Sequence, residues 1–365
     1  MEPLDLRSNE RLSLFRRQYL QLFNLDSLAF PDPEYLRVES FQDLLYDSIF
    51  KPGGLAYPPN DRYQLRVLKE LVLRVEQSIT NPEEDELSDK LLSRLSTLLT
   101  SPLQPELVSA QQKSYVTYTL PVDPKLLQQQ GEPQPTQDEA TVTLLESRTL
   151  ISGSSTTGLR TWEAALHLGT YLWQSPEGRD LVRGKNVLEL GAGTGFLSIL
   201  CAKYLGSSQV LATDGDPAVV EAIETNFFLN GLHGGSKQVG ASVLKWGWTL
   251  MGRVVEGHDE GHEWDVVIGA DVTYDPAVVP YLVSTLKDLF DKFPTVDVLI
   301  SATIRNAETF GVFTLACRAS KFITKDITFQ PAPPAEQQGL FYSTAMPIHI
   351  LRISRPSIAE DPWAV

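Results

Sequence analysis

The run Glu189-Leu190-Gly191-Ala192-Gly193-Thr194-Gly195, preceded by Lys185-Asn186-Val187-Leu188, constrains this chain more than any other feature. A short apolar stretch closed by glycines reads as a strand buried on both faces. Glycines at alternate positions let the chain turn tightly, and they open the backbone to a ligand that a side chain would block. Open α/β sheets bind nucleotide-like ligands at such turns, at the carboxyl ends of central strands. Glycine turns also arise for conformational reasons alone, so the reading needs a second feature. Val210-Leu211-Ala212-Thr213-Asp214 provides it: an apolar strand ending in a carboxylate, placed to lie beside the turn and able to accept bonds from both ribose hydroxyls.

The dinucleotide fingerprint requires a third glycine three positions after the second, and position 196 is Phe. This favours S-adenosyl-L-methionine over NAD, because a sulfonium ligand carries no pyrophosphate that needs the following helix N-terminus. After about residue 160, apolar strands alternate with amphipathic helices, the pattern of an open, mostly parallel sheet covered on both faces. Strands are expected at 186–190, 210–213, 265–270, 297–302, 321–329 and 346–353, and the helix after the glycine turn near Phe196.

A chain of 365 residues suits two parts better than one. Residues 1–110 are expected to form a helical accessory domain, broken at Phe30-Pro31-Asp32-Pro33 and Lys51-Pro52-Gly53-Gly54. Its clearest helix runs over 61–79, where Leu65, Leu68, Leu71, Val72, Val75 and Ile79 share one face, with Asn60 or Asp61 as the cap. Residues 111–365 are expected to hold the catalytic domain. It opens with two extra strands, near 115–120 and 140–151, on either side of a polar loop over 128–135.

The balance of 31 Lys and Arg against 46 Asp and Glu gives a formal charge of -15, which removes the usual driving force for binding nucleic acid and favours a protein partner. Cys201 and Cys317 are the only cysteines and sit in apolar helical patterns, so two buried thiols are expected rather than a disulfide framework or zinc site. The start lacks a secretory or mitochondrial signature, and no apolar stretch approaches the roughly 18 residues of a membrane span. A cytoplasmic monomer is expected.

Three further places bear on chemistry. Leu244-Lys245-Trp246-Gly247 follows the third strand region, where Trp246 either lies beside an adenine ring or, with Trp248, simply packs. Trp264-Asp265-Val266-Val267-Ile268-Gly269-Ala270 is a strand whose carboxyl end carries Asp271 and Tyr274, candidates for holding the group that receives a methyl. The histidines of Gly257-His258-Asp259-Glu260-Gly261-His262-Glu263 lack helical context, and a solvated loop is expected there rather than a metal site.

With Gly158-Leu159-Arg160-Thr161-Trp162-Glu163-Ala164-Ala165, the glycine turn, Leu244 to Gly247 and Ala270-Asp271-Val272-Thr273-Tyr274, the chain resembles the family 16 class I methyltransferases. Within them, the helical extension, Tyr115 to Leu120 and Ser154-Ser155-Thr156-Thr157-Gly158 look like the eukaryotic elongation factor 2 lysine methyltransferases. The resemblance implies a Rossmann-like seven-strand sheet and methylation of a protein lysine, with elongation factor 2 as partner. It also implies that Trp162, the backbone of Gly191, Ala192 and Gly193, Asp214, Trp246 and Ala270 line the cofactor site. Glu189, which opens the turn, is counted with them, while Asp271 and Tyr274 bound the lysine channel. The Asn-Pro-Pro-Tyr pattern of amide and exocyclic-amine methyltransferases is absent. The competing expectations are a different protein or small-molecule acceptor, and a cofactor-binding scaffold without catalysis.

Overall fold

The structure is a computed structural model that describes residues 6–81, 83, 85–102, 112–121, 139–147, 158–233, 238–251, 254 and 263–356. The histidine loop, the polar loop over 128–135, residues 154–157 and the expected boundary at 110 fall wholly or largely outside them. The chain divides into two compact units, one of residues up to 119 with 145–149, the other of 120–144 and residues from 150 onward.

The first unit is helical: α1 (Leu6–Leu20), α2 (Pro33–Leu36), α3 (Glu39–Leu45), α4 (Asp61–Ser78) and α5 (Asp89–Thr100). Prolines punctuate it as expected, and Pro33 opens α2 where its missing N–H costs no helical bond. The apolar face of α4 is buried, with Leu68, Leu71 and Val75 fully enclosed alongside Phe15, Tyr19, Phe41 and Phe50. Asn60, not Asp61, caps α4: its Oδ1 accepts from Tyr63 N at 2.9 Å, while its Nδ2 donates to Ser114 Oγ at 2.8 Å. Asn60→Ala is expected to destabilise this unit by about 1 to 2 kcal/mol in urea unfolding, and a change of under about 0.3 kcal/mol would contradict the cap assignment.

Two strands precede the main sheet, β1 (Ser114–Thr119) and β2 (Thr141–Glu146), and form a two-stranded sheet. β2 is shorter than the expected stretch to 151, whose end lies outside the described residues.

The second unit contains α6 (Glu163–Gln174), α7 (Pro176–Val182), β3 (Asn186–Leu190), α8 (Phe196–Lys203), β4 (Gln209–Asp214), α9 (Pro217–Leu229), β5 (Val239–Val243) and β6 (Val266–Ala270). It continues through α10 (Val279–Lys292), β7 (Asp297–Thr303), α11 (Ala307–Ala319), β8 (Ile323–Ile327) and β9 (Ile348–Ser354). The sheet has seven strands in the order β5-β4-β3-β6-β7-β9-β8, parallel except that β9 runs against both β7 and β8. This is the expected α/β architecture. The central strands are buried because helices cover both faces, which explains their unbroken apolar sequences. On one face Leu188, Leu190, Val267 and Ile300 pack with Leu282, Leu286, Phe290 and Phe313 from α10 and α11. Both cysteines are buried, unbonded thiols, in α8 and α11.

From β3 the chain winds outward to β4 and β5, then crosses back to β6 on the other side. The chain therefore leaves the paired carboxyl ends of β3 and β6 in opposite directions, which opens a crevice at that edge of the sheet. β8 is shorter than the expected 321–329. Lys321 takes a left-handed φ of 60° and its N–H donates to Arg318 O, closing α11 rather than starting a strand. At the other end Phe329 leaves the sheet to pack 5.4 Å from both the His167 and Tyr171 rings.

Candidate active site

The glycine turn is built as its sequence requires. Gly191 and Gly193 have φ of 62° and 55°, the left-handed region that other residues enter at a cost. Space is restricted there too: a Cβ on Gly191 would lie 2.8 Å from Val272 Cγ1, and one on Gly193 3.1 Å from the carbonyl oxygen of Gly158. The turn is tied to β4 where Ala192 N donates to Thr213 O at 2.8 Å and Thr213 Oγ1 donates to Glu189 O at 2.6 Å.

Asp214 ends β4 beside this turn. Its carboxylate accepts from Gly193 N and from Asp216 N, each at 3.1 Å, so it fixes the turn as well as facing the crevice. Burial raises its pKa, and those backbone bonds oppose the rise.

Glu189, Gly191, Ala192, Gly193, Asp214, Trp162, Trp246, Ala270, Asp271 and Tyr274 all line one cavity of about 630 Å³. Sequence reasoning therefore brought together residues from β3, β4, β6 and the segment ahead of α6. Trp246 lines the cavity, packs partly on the core, and reaches within 3.2 Å of where a Gly191 Cβ would stand. Trp248 points elsewhere and is 68% exposed. Phe196, where a dinucleotide site would have glycine, is the buried first residue of α8.

Glu189 behaves differently from the others. It is buried, and its Oε2 accepts from Ser198 N at 2.9 Å and, very closely, from Ser198 Oγ, so its carboxyl clasps the first turn of α8. Burial pushes its pKa up to about 8. A folded-state pKa above the unfolded one stabilises the native state fully below the unfolded pKa, and that contribution fades as pH rises toward the folded value. Stability is thus expected to decline between about pH 5 and pH 9, with a flatter profile in Glu189→Gln; parallel urea profiles for the two proteins would contradict this.

At the other side of the crevice, Asp271 follows β6 with φ 53°, strained for a residue with a side chain. Its carboxylate accepts from Thr303 N at 2.8 Å and Thr303 Oγ1 at 3.1 Å, and lies 3.4 Å from Arg305 Nη2. Burial raises its pKa, while the Thr303 bonds and the Arg305 charge pull it back. Tyr274 is 59% exposed at the cavity wall. Trp162, which leads into α6, has Arg160 and Arg305 guanidinium carbons 4.9 and 5.1 Å from its ring centre.

Arg160, Tyr281 and Arg305 also line the cavity and were not singled out as site residues. Arg160 lay inside a recognised motif block. Arg305 could have been found as a charged residue just past the carboxyl end of a strand on the crevice side.

A family profile described as lysine methyltransferase matches residues 143–317. The chain is 46% identical over 347 residues to Protein-lysine N-methyltransferase EFM3 of Chaetomium thermophilum, covering 95% of this chain and 98% of that relative. The chain belongs to the lysine methyltransferase family. EFM3 of Saccharomyces cerevisiae is 37% identical over 49% of this chain and 54% of its own length. Protein-lysine N-methyltransferase EEF2KMT of Homo sapiens is 28% identical over 85% of this chain and 86% of its own. The methyltransferase uses S-adenosylmethionine as methyl donor and a protein lysine as acceptor. The residues present suit that donor: a cavity of adequate size, glycines where a Cβ would close the backbone off, and a carboxylate beside them.

Proposed function

We propose that this methyltransferase modifies a lysine of translation elongation factor 2, in the cytoplasm. The observation that carries this reading is the extent of the similarity, which continues past the catalytic unit to cover 95% of the chain against EFM3 and 85% against human EEF2KMT. A likeness confined to the sheet would support methyl transfer alone. The resemblance of the helical extension to elongation factor 2 lysine methyltransferases points the same way. Among the described residues no helix is long and apolar enough to cross a membrane.

In this reading the backbone of Gly191, Ala192 and Gly193 would cradle the donor, Asp214 would accept hydrogen bonds from its ribose hydroxyls, and Trp246 would flank its adenine. Trp162, Glu189 and Ala270 complete that wall, while Asp271 and Tyr274 bound the lysine channel. S-adenosylmethionine, when bound, supplies an electrophilic methyl on a sulfonium. The protein's share of catalysis is chiefly orientation, since in-line displacement needs the amine within about 3 to 3.5 Å of that carbon. Lysine must also arrive neutral, although a free side chain titrates near about 10.4. Asp271 orients the amine, and the proton that the amine loses passes to bulk solvent on the side of the exposed Tyr274.

The test is to add purified enzyme and radiolabelled donor to a lysate from cells lacking the enzyme. Label concentrated in elongation factor 2 is expected. Label in other proteins, with that factor unlabelled, would replace this substrate assignment.

A further inference from the structure

Arg305, just beyond β7, joins three elements of the cavity wall. Its Nη2 donates to Glu163 Oε2 at 2.7 Å and lies 3.4 Å from Asp271 Oδ2, while the guanidinium stands over Trp162. Glu163 opens α6 and Asp271 follows β6, so one cation answers two carboxylates from different parts of the chain. Arg160 is the other cation packed on Trp162. Lys245, Tyr274 and Tyr281 are the titratable groups on the walls after β5 and β6 and on α10, and Asp214, Asp216 and Glu189 lie round the glycine turn.

Methyl transfer needs a nitrogen lone pair, and a corner with two uncompensated carboxylates would hold an incoming lysine as its ammonium form. We propose that Arg305 is a positioning residue for methyl transfer: by pairing Glu163 and Asp271 it keeps the acceptor lysine from being trapped as an ammonium ion. This rests on the reading that the acceptor enters beside Asp271. The proton given up by the amine goes to water, and no further reactant is required. Arg305 is thus set apart from a residue that only braces the wall, because its effect depends on charge and on pH.

The test is the pH dependence of kcat and KM on elongation factor 2 for wild type, Arg305→Gln, Arg305→Lys and Asp271→Asn, with donor affinity measured for each. In Arg305→Gln the rising limb of kcat is expected to move about one unit toward alkaline pH, a loss of about tenfold at neutral pH that recovers at the alkaline plateau. KM is expected not to rise, and Arg305→Lys should keep its limb near the wild-type position. A uniform fall in kcat at all pH values, or an unmoved limb with donor affinity intact, would overturn the proposal.

Asp271→Asn separates the two levels of the reading, since losing a carboxylate should move the limb toward acid. If it does so and Arg305→Gln does not shift, the Arg305 proposal alone fails. If neither moves, the acceptor does not bind in this corner. A wild type that transfers nothing to the factor overturns the substrate assignment instead, and the same pH profiles are then read on the protein that the lysate labelling identifies, with the same outcomes deciding. Should Arg305→Gln not fold, Glu163→Gln carries the test: its limb should move toward acid, and an unmoved limb overturns the proposal.

Discussion

Replacing Asp271 with alanine is expected to lower kcat on a protein lysine about 100-fold or more, with donor affinity held within about threefold. A carboxylate has roughly four acceptor positions. In Asp271, Thr303 N, Thr303 Oγ1 and Arg305 take three, which fixes the group rigidly and leaves about one position for an incoming N–H. The left-handed backbone at this residue adds strain that the fold maintains, a common mark of a working position. Alanine removes the oriented acceptor, but it also leaves Thr303 N without its partner and fits this left-handed φ less well than aspartate, so a urea unfolding curve of the variant accompanies the turnover measurement. Stopped-time assays with saturating donor, paired with calorimetric donor binding, read the two effects separately. Retention of turnover within about threefold of wild type would remove Asp271 from the reaction.

The second large effect is expected at Asp214. Asp214→Ala should weaken donor binding by about 1.5 to 3 kcal/mol, roughly 10- to 100-fold, through lost charge-assisted bonds to the ribose. The structure adds a contribution that the sequence did not show. Asp214 also accepts from Gly193 N and Asp216 N, so alanine leaves two backbone donors without their partner and loosens the turn itself. Asp214→Asn retains one acceptor oxygen and should lose less than alanine. Equal calorimetric Kd values for wild type and Asp214→Ala would contradict the ribose assignment.

The sheet and its crevice were largely legible because their signals are local. Strand β3, its glycine turn and the onset of α8 at Phe196 follow from an apolar run, three glycines and a resumed helical pattern, all within adjacent residues. Asp214 was legible because it ends the neighbouring apolar strand. Edges were less clear, since β8 is a mostly exposed strand whose sequence lacks the buried signature, and the left-handed Lys321 that delays its start has no local mark. Side-chain networks were harder still. Nothing near Arg305 in sequence announces Glu163, which stands 142 residues away, or shows that Asp271 and Thr303 meet across β6 and β7. Glu189 read as a cofactor residue because it opens the turn; its grip on Ser198 emerged only from the fold. For Trp246 the sequence left a place beside the ligand and plain packing equally open; in the fold it stands on the cavity wall, while Trp248 lies outside that wall and is largely exposed.

The most direct measurement is tandem mass spectrometry of purified elongation factor 2 before and after incubation with the enzyme and S-adenosylmethionine. Added methyl mass on a lysine of that factor, present with wild type and absent with Asp271→Ala, is the result expected. An unmodified factor in a reaction where donor binding has been demonstrated would contradict the assignment.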